Sequence, residues 1–235
     1  MKKRGIERRD LPALGVAALC CAALLATAAN AAGAEVEEEL RYRWRLGGYK
    51  GFLARLVVPA AGDAVLRTTA TGPGTFLNEL HITSPRSRRG EFWLYGSEVE
   101  GGECGRLVSA WTEQLFRGRA KERRAEIEES GVLDIPSCIC RVRYNPPGSP
   151  IATRIWSEGK IYPVRISGPV TREAELDGRR LAADAYTVSG LRRPGERVWK
   201  GRLVLLVARD AARTPLEIGL VQPGLSVRLE LVEGL

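Results

Sequence analysis

The sequence predicts an all-β protein, mainly antiparallel, in which a meandering curved sheet forms an open barrel or a sandwich with at most one or two short helices. Two observations lead to this prediction. Short stretches alternate apolar and polar residues with the period of two that half-buried strands require. Clusters of Gly, Pro, Asp and Ser separate these stretches at short intervals, as turns do. With 44% hydrophobic and 27% charged residues, the composition is that of an ordinary globular protein.

The first 31 residues differ from the rest of the chain. A basic head precedes an apolar run over residues 11–29, and the run ends in Ala29-Asn30-Ala31. These are the three parts of a secretory signal peptide. We therefore expect residues 1–31 to be cleaved and residues 32–235 to form a single β-rich domain that is not an integral membrane protein. Because the run is long enough to cross a bilayer, an uncleaved N-terminal anchor is the alternative.

Part of the strong basicity belongs to this leader. Cleavage removes five basic and two acidic residues, so the net charge falls from +8 to about +5. Such an excess favours contact with an anionic membrane surface or a polyanion, or it serves ordinary solubility. Nucleic-acid binding is not expected, because the arginines follow no recognisable binding module.

The strands are predicted in order along the chain. Residues 40–46 alternate strictly, with Leu, Tyr and Trp on one face and three Arg on the other. Gly47-Gly48 predicts a turn, and residues 52–58 alternate again as the return strand. Further strands are predicted at 64–71, 76–82, 91–98 and 107–116, with a basic loop containing Arg86, Arg88 and Arg89.

The middle of the chain carries the only helix signals. Residues 118–130 are rich in Arg, Lys and Glu, which predicts either a charged helix or an exposed hairpin rim. Asp134 is placed to cap a short helix whose first turn contains Pro136. Residues 144–150, with three prolines and a glycine, mark the clearest internal break. Six more strands are predicted after it, at 160–166, 171–176, 182–191, 197–208, 216–221 and 225–232.

Three cysteines remain after the leader: Cys104, Cys138 and Cys140. In an oxidising compartment we expect one structural disulfide, from Cys104 to either Cys138 or Cys140, with one thiol left over. Inert thiols are the alternative. A metal site is not expected, because the Cys-x-Cys pair has no matching second pair and His81 is the only histidine.

No pattern predicts catalysis, so we expect a non-enzymatic protein without catalytic residues or a cofactor. A nucleophile–histidine site would have to use His81, which lies in an alternating strand stretch. Glu126, Glu128 and Glu129 could do acid–base chemistry, but their charged segment indicates a solvated face. A hydrolase with an unrecognised site is the remaining enzymatic alternative.

The aromatic residues of the alternating faces either fill a core or line a groove that binds an acyl chain or another apolar ligand. For the groove, the candidate ligand contacts are Trp44, Trp111, Trp199 and Arg143. A structural explanation is the alternative for Arg143, namely an internal ion pair beside the helix cap at Asp134. If the ligand is a lipid, the arginines on the outer face of the first strand would meet anionic headgroups.

Three parts of the chain resemble a known family. They are Leu40-x-Tyr42-x-Trp44 with Gly47-Gly48 and Gly51; the element Asp134, Ser137 and Arg143; and residues 203–218 with Arg209-Asp210 and Arg213-Thr214-Pro215, followed by Gly224 and residues 227–231. On these residues the chain is similar to an uncharacterised family of exported Gram-negative bacterial proteins, domain of unknown function 3108. The chain departs from the family pattern at Cys138 and Cys140, which replace apolar positions. The resemblance implies a periplasmic, antiparallel β-rich fold and no agreed activity.

We therefore expect an exported periplasmic protein that binds a lipid or another hydrophobic ligand in maintenance of the cell envelope. The alternative is a structural or scaffolding partner of an envelope complex, which would contact an envelope protein through a strand edge or the basic loop. A deep apolar cavity would favour the first function, and a filled core with an exposed apolar patch the second.

Overall fold

The computed structural model of the protein describes residues 35–48, 61–84, 90–116, 118–176 and 178–233. The predicted leader over residues 1–31, the predicted return strand at 52–58 and the arginines of the predicted basic loop lie outside the described residues. In the described part, one helix and thirteen strands follow in the order β1 (Glu35–Gly47), β2 (Ala61–Gly72), β3 (Thr75–Thr83), β4 (Phe92–Glu100), β5 (Arg106–Phe116), β6 (Arg119–Glu126), β7 (Val132–Leu133), α1 (Ile135–Tyr144), β8 (Ile151–Ser157), β9 (Lys160–Leu176), β10 (Arg179–Gly190), β11 (Arg202–Ala208), β12 (Pro215–Gln222) and β13 (Leu225–Glu233).

All thirteen strands belong to one sheet with the order β6-β5-β4-β3-β2-β1-β13-β12-β11-β10-β9-β8-β7. Neighbouring strands are antiparallel except for the pair β7–β8, which is parallel. The first and last strands, β1 and β13, therefore pair in the middle of the sheet. This arrangement confirms the predicted all-β, mainly antiparallel class, in the form of one meandering sheet.

The sheet curls until its two halves face each other. The helix α1 contacts β3 and β4 from one half and β8 and β11 from the other, so it lies inside the curl. Near the sheet edges, β5 contacts β7, and a small apolar cluster that includes Leu107, Val132 and Trp156 packs between the halves. The side chains of Lys121 on β6 and Glu158 in the β8–β9 turn form an ion pair that links the same edges.

The alternation of the first strand is confirmed residue by residue. Leu40, Tyr42, Trp44 and Leu46 are buried, and the arginines between them point outward. They pack with residues from β2, β3 and β10–β13 and from α1 in one main core. The hydrophobic period of two therefore determines which face of β1 lines the interior.

Residues 118–130 form the hairpin rim rather than the charged helix. The strand β6 pairs with β5 without interruption from Ser109–Glu126 to Phe116–Arg119. Almost every side chain of β6 is exposed. A strand at the edge of a sheet can carry charge on both faces, because neither face has to cover a core.

The predicted strands at 160–166 and 171–176 are one strand, β9. Pairing with β10 continues across the apparent break through a bulge, where Ser167 pairs with Thr187 and Val170 with Ala185. Gly168 within this bulge has a φ of 128°, a conformation that glycine adopts without the steric cost of a Cβ. The residues between the two predicted strands therefore form a bend within one strand and not a turn between two.

The start of β11 and two short strands also differ from the prediction. Residues 197–201, predicted as the start of a strand, belong to a loop over 191–201, and β11 begins at Arg202. The strands β7 and β8 were not predicted. β7 has two residues, and β8 follows directly on the proline-rich break, so neither presents a long alternating pattern.

The helix α1 begins as predicted. The carboxylate of Asp134 accepts a hydrogen bond from the backbone N–H of Ser137 at 2.9 Å, and the backbone N–H of Asp134 donates to the Ser137 hydroxyl at 2.7 Å. This reciprocal capping box, with Pro136 in the first turn, satisfies N–H groups that would otherwise be buried without partners.

The disulfide joins Cys104 to Cys140, one of the two pairings that the sequence allowed. It fastens the helix to the β4–β5 loop. Cys138 is the free thiol among the described cysteines, and it is fully buried in the main core. Burial and the nearby Asp134 carboxylate raise the pKa of the Cys138 thiol to about 12, so it stays protonated and unreactive at neutral pH.

Candidate functional site

The interior of the curled sheet is largely filled. Trp44 is 1% exposed, and its indole N–H donates to the carbonyl oxygen of Thr83 at 2.7 Å. The Tyr42 hydroxyl donates to the carbonyl oxygen of Pro215 at 2.9 Å. These inner-face aromatics of β1 are core residues whose polar atoms are satisfied within the protein.

A cavity of about 630 Å³ opens at the end of the sheet where β8, β10 and β12 end and β9 and β11 begin. Its volume lies within the range that small-molecule sites occupy. Its apolar and aromatic walls are formed by Tyr95, Ile135, Tyr162, Val198, Trp199 and Leu220. Ile135 is the first residue of α1, so the N-terminal end of the helix forms the bottom of the cavity.

Trp199 owes its position to Gly201, two residues further along the chain. A Cβ built on Gly201 would lie 2.6 Å from both Cε2 and Cζ2 of the Trp199 ring. Only a glycine allows an indole to lie this close to the backbone. Gly190 is similarly constrained, because its Cβ would lie 2.3 Å from the carbonyl oxygen of Trp199. Two glycines therefore shape the wall that carries the tryptophan.

The mouth of the cavity is basic. Arg197, Lys200 and Arg202 line it, and Glu158 is the one acidic residue among its lining residues. The Glu158 carboxylate is paired with the Lys121 ammonium group. An anionic group of a ligand at this mouth would therefore meet three cations and one carboxylate that already has a partner.

Tyr95 is one of the neutral hydrogen-bonding groups that line the wall. Burial, with a smaller contribution from the charge of Glu158, raises the pKa of Tyr95 to about 12. The phenol therefore stays protonated at neutral pH and can donate a hydrogen bond. The arrangement of apolar walls, two phenols and a cationic rim suits a molecule that is apolar at one end and anionic at the other.

The structure does not bring the four predicted ligand contacts together. Trp199 lines the cavity, and Trp44 lies in the core. Trp111 points to the outer face of the sheet, where its ring covers Gly96 and the Arg124 guanidinium lies 5.0 Å from the ring centroid. Arg143 lies at the opposite end of the sheet from the cavity, at the outer end of α1.

Arg143 takes part in a buried network. Its side chain is 3% exposed, and its Nη1 and Nη2 donate to the Glu38 carboxylate at 2.5 and 2.8 Å. Its Nε and Nη2 also donate to the carbonyl oxygens of Arg213 and Ala212, each at 3.2 Å. The internal ion pair that the sequence suggested is therefore present, with Glu38 as the partner, and it joins α1 to β1 and to the β11–β12 loop.

The remaining titratable candidates lie in ordinary surroundings. His81 is an exposed residue of β3 whose ring makes an edge contact with Phe92 at 5.6 Å, and partial burial lowers its pKa. Glu126, Glu128 and Glu129 are exposed, as the solvated-face interpretation predicted. Within the described ranges, no three His, Cys, Asp or Glu residues are grouped so that they could hold a metal ion.

Sequence reasoning missed most of the cavity wall. Tyr95, Tyr162 and Leu220 lie in strands that were predicted, but nothing in the alternation distinguishes them from core residues. A signal was present at Val198-Trp199, two large apolar residues inside a loop that also contains Pro194, Gly195 and Gly201. Large apolar residues between such loop-forming residues indicate a surface that covers something.

No protein-family model matches the chain, and no curated protein matches it significantly. Among solved structures, it is similar to a beta-barrel-like protein of domain of unknown function DUF1849 from Brucella abortus. The identity is 11%, the match covers 83% of this chain and 95% of that chain, and the TM-score is 0.41. No helix among the described residues is long and apolar enough to span a membrane. The resemblance to domain of unknown function 3108 stays a prediction.

Proposed function

We propose that this protein is a non-enzymatic binding protein that acts in the periplasm after export and holds one lipid or similar amphipathic molecule in the cavity beside Trp199. One observation carries the proposal. The main core fills the inside of the curl with Tyr42, Trp44 and the helix, whereas the cavity of about 630 Å³ stays open between aromatic walls. Large apolar side chains lining an open space are stabilised by a ligand that excludes water from them.

The distribution of charge supports an amphipathic ligand over a purely apolar one. The walls are apolar towards Ile135 and Leu220, and the cations Arg197, Lys200 and Arg202 lie at the mouth. An acyl chain would enter with its apolar part inward and its anionic head at the rim. This orientation avoids burial of an unpaired charge, which would cost several kcal/mol.

The test is native mass spectrometry of the mature protein purified without detergent, with lipid analysis of its organic extract. We expect one lipid molecule per chain, retained on purification or taken up on incubation with envelope lipids. Trp199→Ala should lower the affinity on the order of tenfold, because it removes one aromatic wall and the apolar contact that this wall makes with the ligand.

Trp111→Ala is the matched control, because Trp111 is also half-buried and also covers a glycine but lies on the outer face. It should leave ligand binding unchanged. Bare protein that takes up no lipid would overturn the proposal and leave the scaffolding partner as the function to pursue. Equal losses in the two variants would show that the cavity is not the binding site.

A further inference from the structure

Two large apolar side chains are exposed beside the cavity mouth. Ile161 is 37% exposed and Val198 is 38% exposed. Val198 lines the cavity, and Ile161 lines an adjoining concavity that shares Tyr162 and Arg197 with it. The two side chains therefore flank one region of the surface, which we call the mouth surface. It consists of residues 160–162 and 191–202.

The mouth surface is strongly basic. Six of its residues are exposed cations, namely Lys160, Arg192, Arg193, Arg197, Lys200 and Arg202. Its one acidic residue, Glu196, is paired with Arg154 at 2.9 Å. The neighbouring Glu158 is paired with Lys121. Neither carboxylate is therefore free to offset the cations, and the mouth surface presents an excess of positive charge around its exposed apolar pair.

The outer face of β1 lacks this combination. On the outer face of β1, Arg41 is paired with Glu39 at 3.0 Å and Arg45 with Glu230 at 3.9 Å. The exposed Val36 lies among acidic residues of the same strand. The outer face of β1, where the sequence suggested headgroup contacts, is thus partly neutralised by its own sheet.

We propose that the mouth surface docks onto a membrane rich in anionic phospholipid. The cations would lie among the headgroup phosphates while Ile161 and Val198 enter the boundary with the acyl chains. Basic residues around shallow apolar side chains are the arrangement by which peripheral proteins bind anionic bilayers. Charge complementarity selects the partner, because the exposed cations match a continuous anionic surface. Docking in this orientation would place the cavity mouth against the bilayer, from which its lipid could enter or leave.

Docking onto a membrane and binding of a ligand in the cavity are separate properties of the protein. A protein can dock without carrying a lipid, and it can carry a lipid without docking. The experiment therefore measures vesicle binding, with cavity occupancy measured separately by native mass spectrometry.

The experiment is co-sedimentation of the mature protein with vesicles of phosphatidylglycerol and phosphatidylethanolamine in equal amounts, compared with vesicles of phosphatidylcholine alone. We expect binding to the first and not to the second, weakened by added salt. The double variant Arg197→Glu, Lys200→Glu should bind more than about 30-fold more weakly, since the loss of each basic residue costs about fivefold near an anionic surface and each new carboxylate adds repulsion. The matched control is Arg179→Glu, Arg180→Glu, two exposed cations on β10.

A second pair of variants tests the apolar side chains of the mouth surface. Val198→Asp should abolish binding to the anionic vesicles, whereas Val170→Asp, at a valine that is 52% exposed, should not. Vesicle binding that the control variants weaken equally would contradict the proposal. Binding that salt disrupts but Val198→Asp leaves unchanged would also overturn it, and would point to a soluble polyanion as the partner.

Discussion

The two ends of the curled sheet differ in how they are held together. At the end where α1 finishes, a disulfide and a buried ion-pair network join parts of the chain that are far apart in sequence. At the end where α1 begins, the loop over 191–201 borders an open cavity, and its cations project into solvent. At the first end the buried Arg143 guanidinium has its partners within the protein, whereas at the second end Ile161 and Val198 remain exposed.

This difference indicates that one end stabilises the fold and the other end binds the proposed ligand. Cross-links at one end hold the helix in place, and the inner end of the helix then forms the bottom of the cavity at Ile135. Asp134, Ser137 and Arg143 cap or anchor the helix and do not line the cavity wall. Substitutions at the two ends should therefore separate stability from binding.

The largest expected effect on stability comes from the disulfide. Cys104 and Cys140 are 36 residues apart, so the double variant Cys104→Ala, Cys140→Ala releases a long loop in the unfolded chain. Loop-closure entropy predicts a loss of about 4 kcal/mol in the free energy of unfolding. Urea denaturation measures it, and Cys138→Ala is the control for removing a cysteine without a cross-link. An equal loss in the control would show that packing, not the cross-link, is responsible.

Loss of the Arg143–Glu38 ion pair, at the same end, should have the second-largest effect on the free energy of unfolding. Glu38→Gln leaves the Arg143 guanidinium buried without its counter-charge, which should cost about 3 kcal/mol of unfolding free energy. Glu100→Gln is the matched control, because the pair Arg106–Glu100 is exposed and should contribute less than about 1 kcal/mol. Similar denaturation midpoints for the two variants would contradict the network described here.

The helix cap gives a pH-dependent effect. Burial raises the pKa of Asp134 to about 6 from an ordinary value of 3.8, although hydrogen bonds from Ser137 and Ser97 oppose the shift. Between pH 3.8 and pH 6, the Asp134 carboxyl is therefore protonated in the folded protein and ionised in the unfolded chain. The contribution of Asp134 to the free energy of unfolding is full below pH 3.8 and is lost as the pH rises through 6. Between pH 4 and pH 7 the loss should be roughly 2 kcal/mol.

Asp134→Asn separates this contribution from other titrating groups, because Asn is an equally good N-cap and does not ionise. Urea denaturation of the variant at pH 4 and pH 7 should lack the loss of roughly 2 kcal/mol seen in the parent protein. If the variant and the parent lose the same stability over this interval, Asp134 does not carry the buried proton.

The smallest effects on stability are expected from substitution of two glycines that lie under tryptophan rings. Gly96→Ala and Gly201→Ala would each bring a Cβ within 2.6 Å of an indole, that of Trp111 and that of Trp199 respectively. Each should cost about 1 kcal/mol of unfolding free energy. Only Gly201→Ala should also weaken lipid binding several-fold, because it displaces the cavity wall. Titration of both variants with the same lipid checks this, and weakening in Gly96→Ala would argue against separate roles.

The fold was largely predictable, because its determinants are local. Alternation determined the face of β1, and Asp134 followed by Pro136 predicted the start of α1. The bulge at Gly168 was misread because Gly and Pro produce the same signal in a bend as in a turn. The cavity was predicted at one residue only, Trp199. Its other walls come from β4, β9 and β12, which only the curling of the whole sheet brings together.

The most direct test of the account is quenching of tryptophan fluorescence by a fatty acid brominated along its acyl chain. The chain has five tryptophans, and Trp199 is the one placed in the cavity wall. The bound brominated lipid should quench the parent protein and Trp111→Phe alike, whereas Trp199→Phe should bind the lipid with most of the quenching lost. Full quenching in Trp199→Phe would contradict the account, since the acyl chain would then lie somewhere else in the protein.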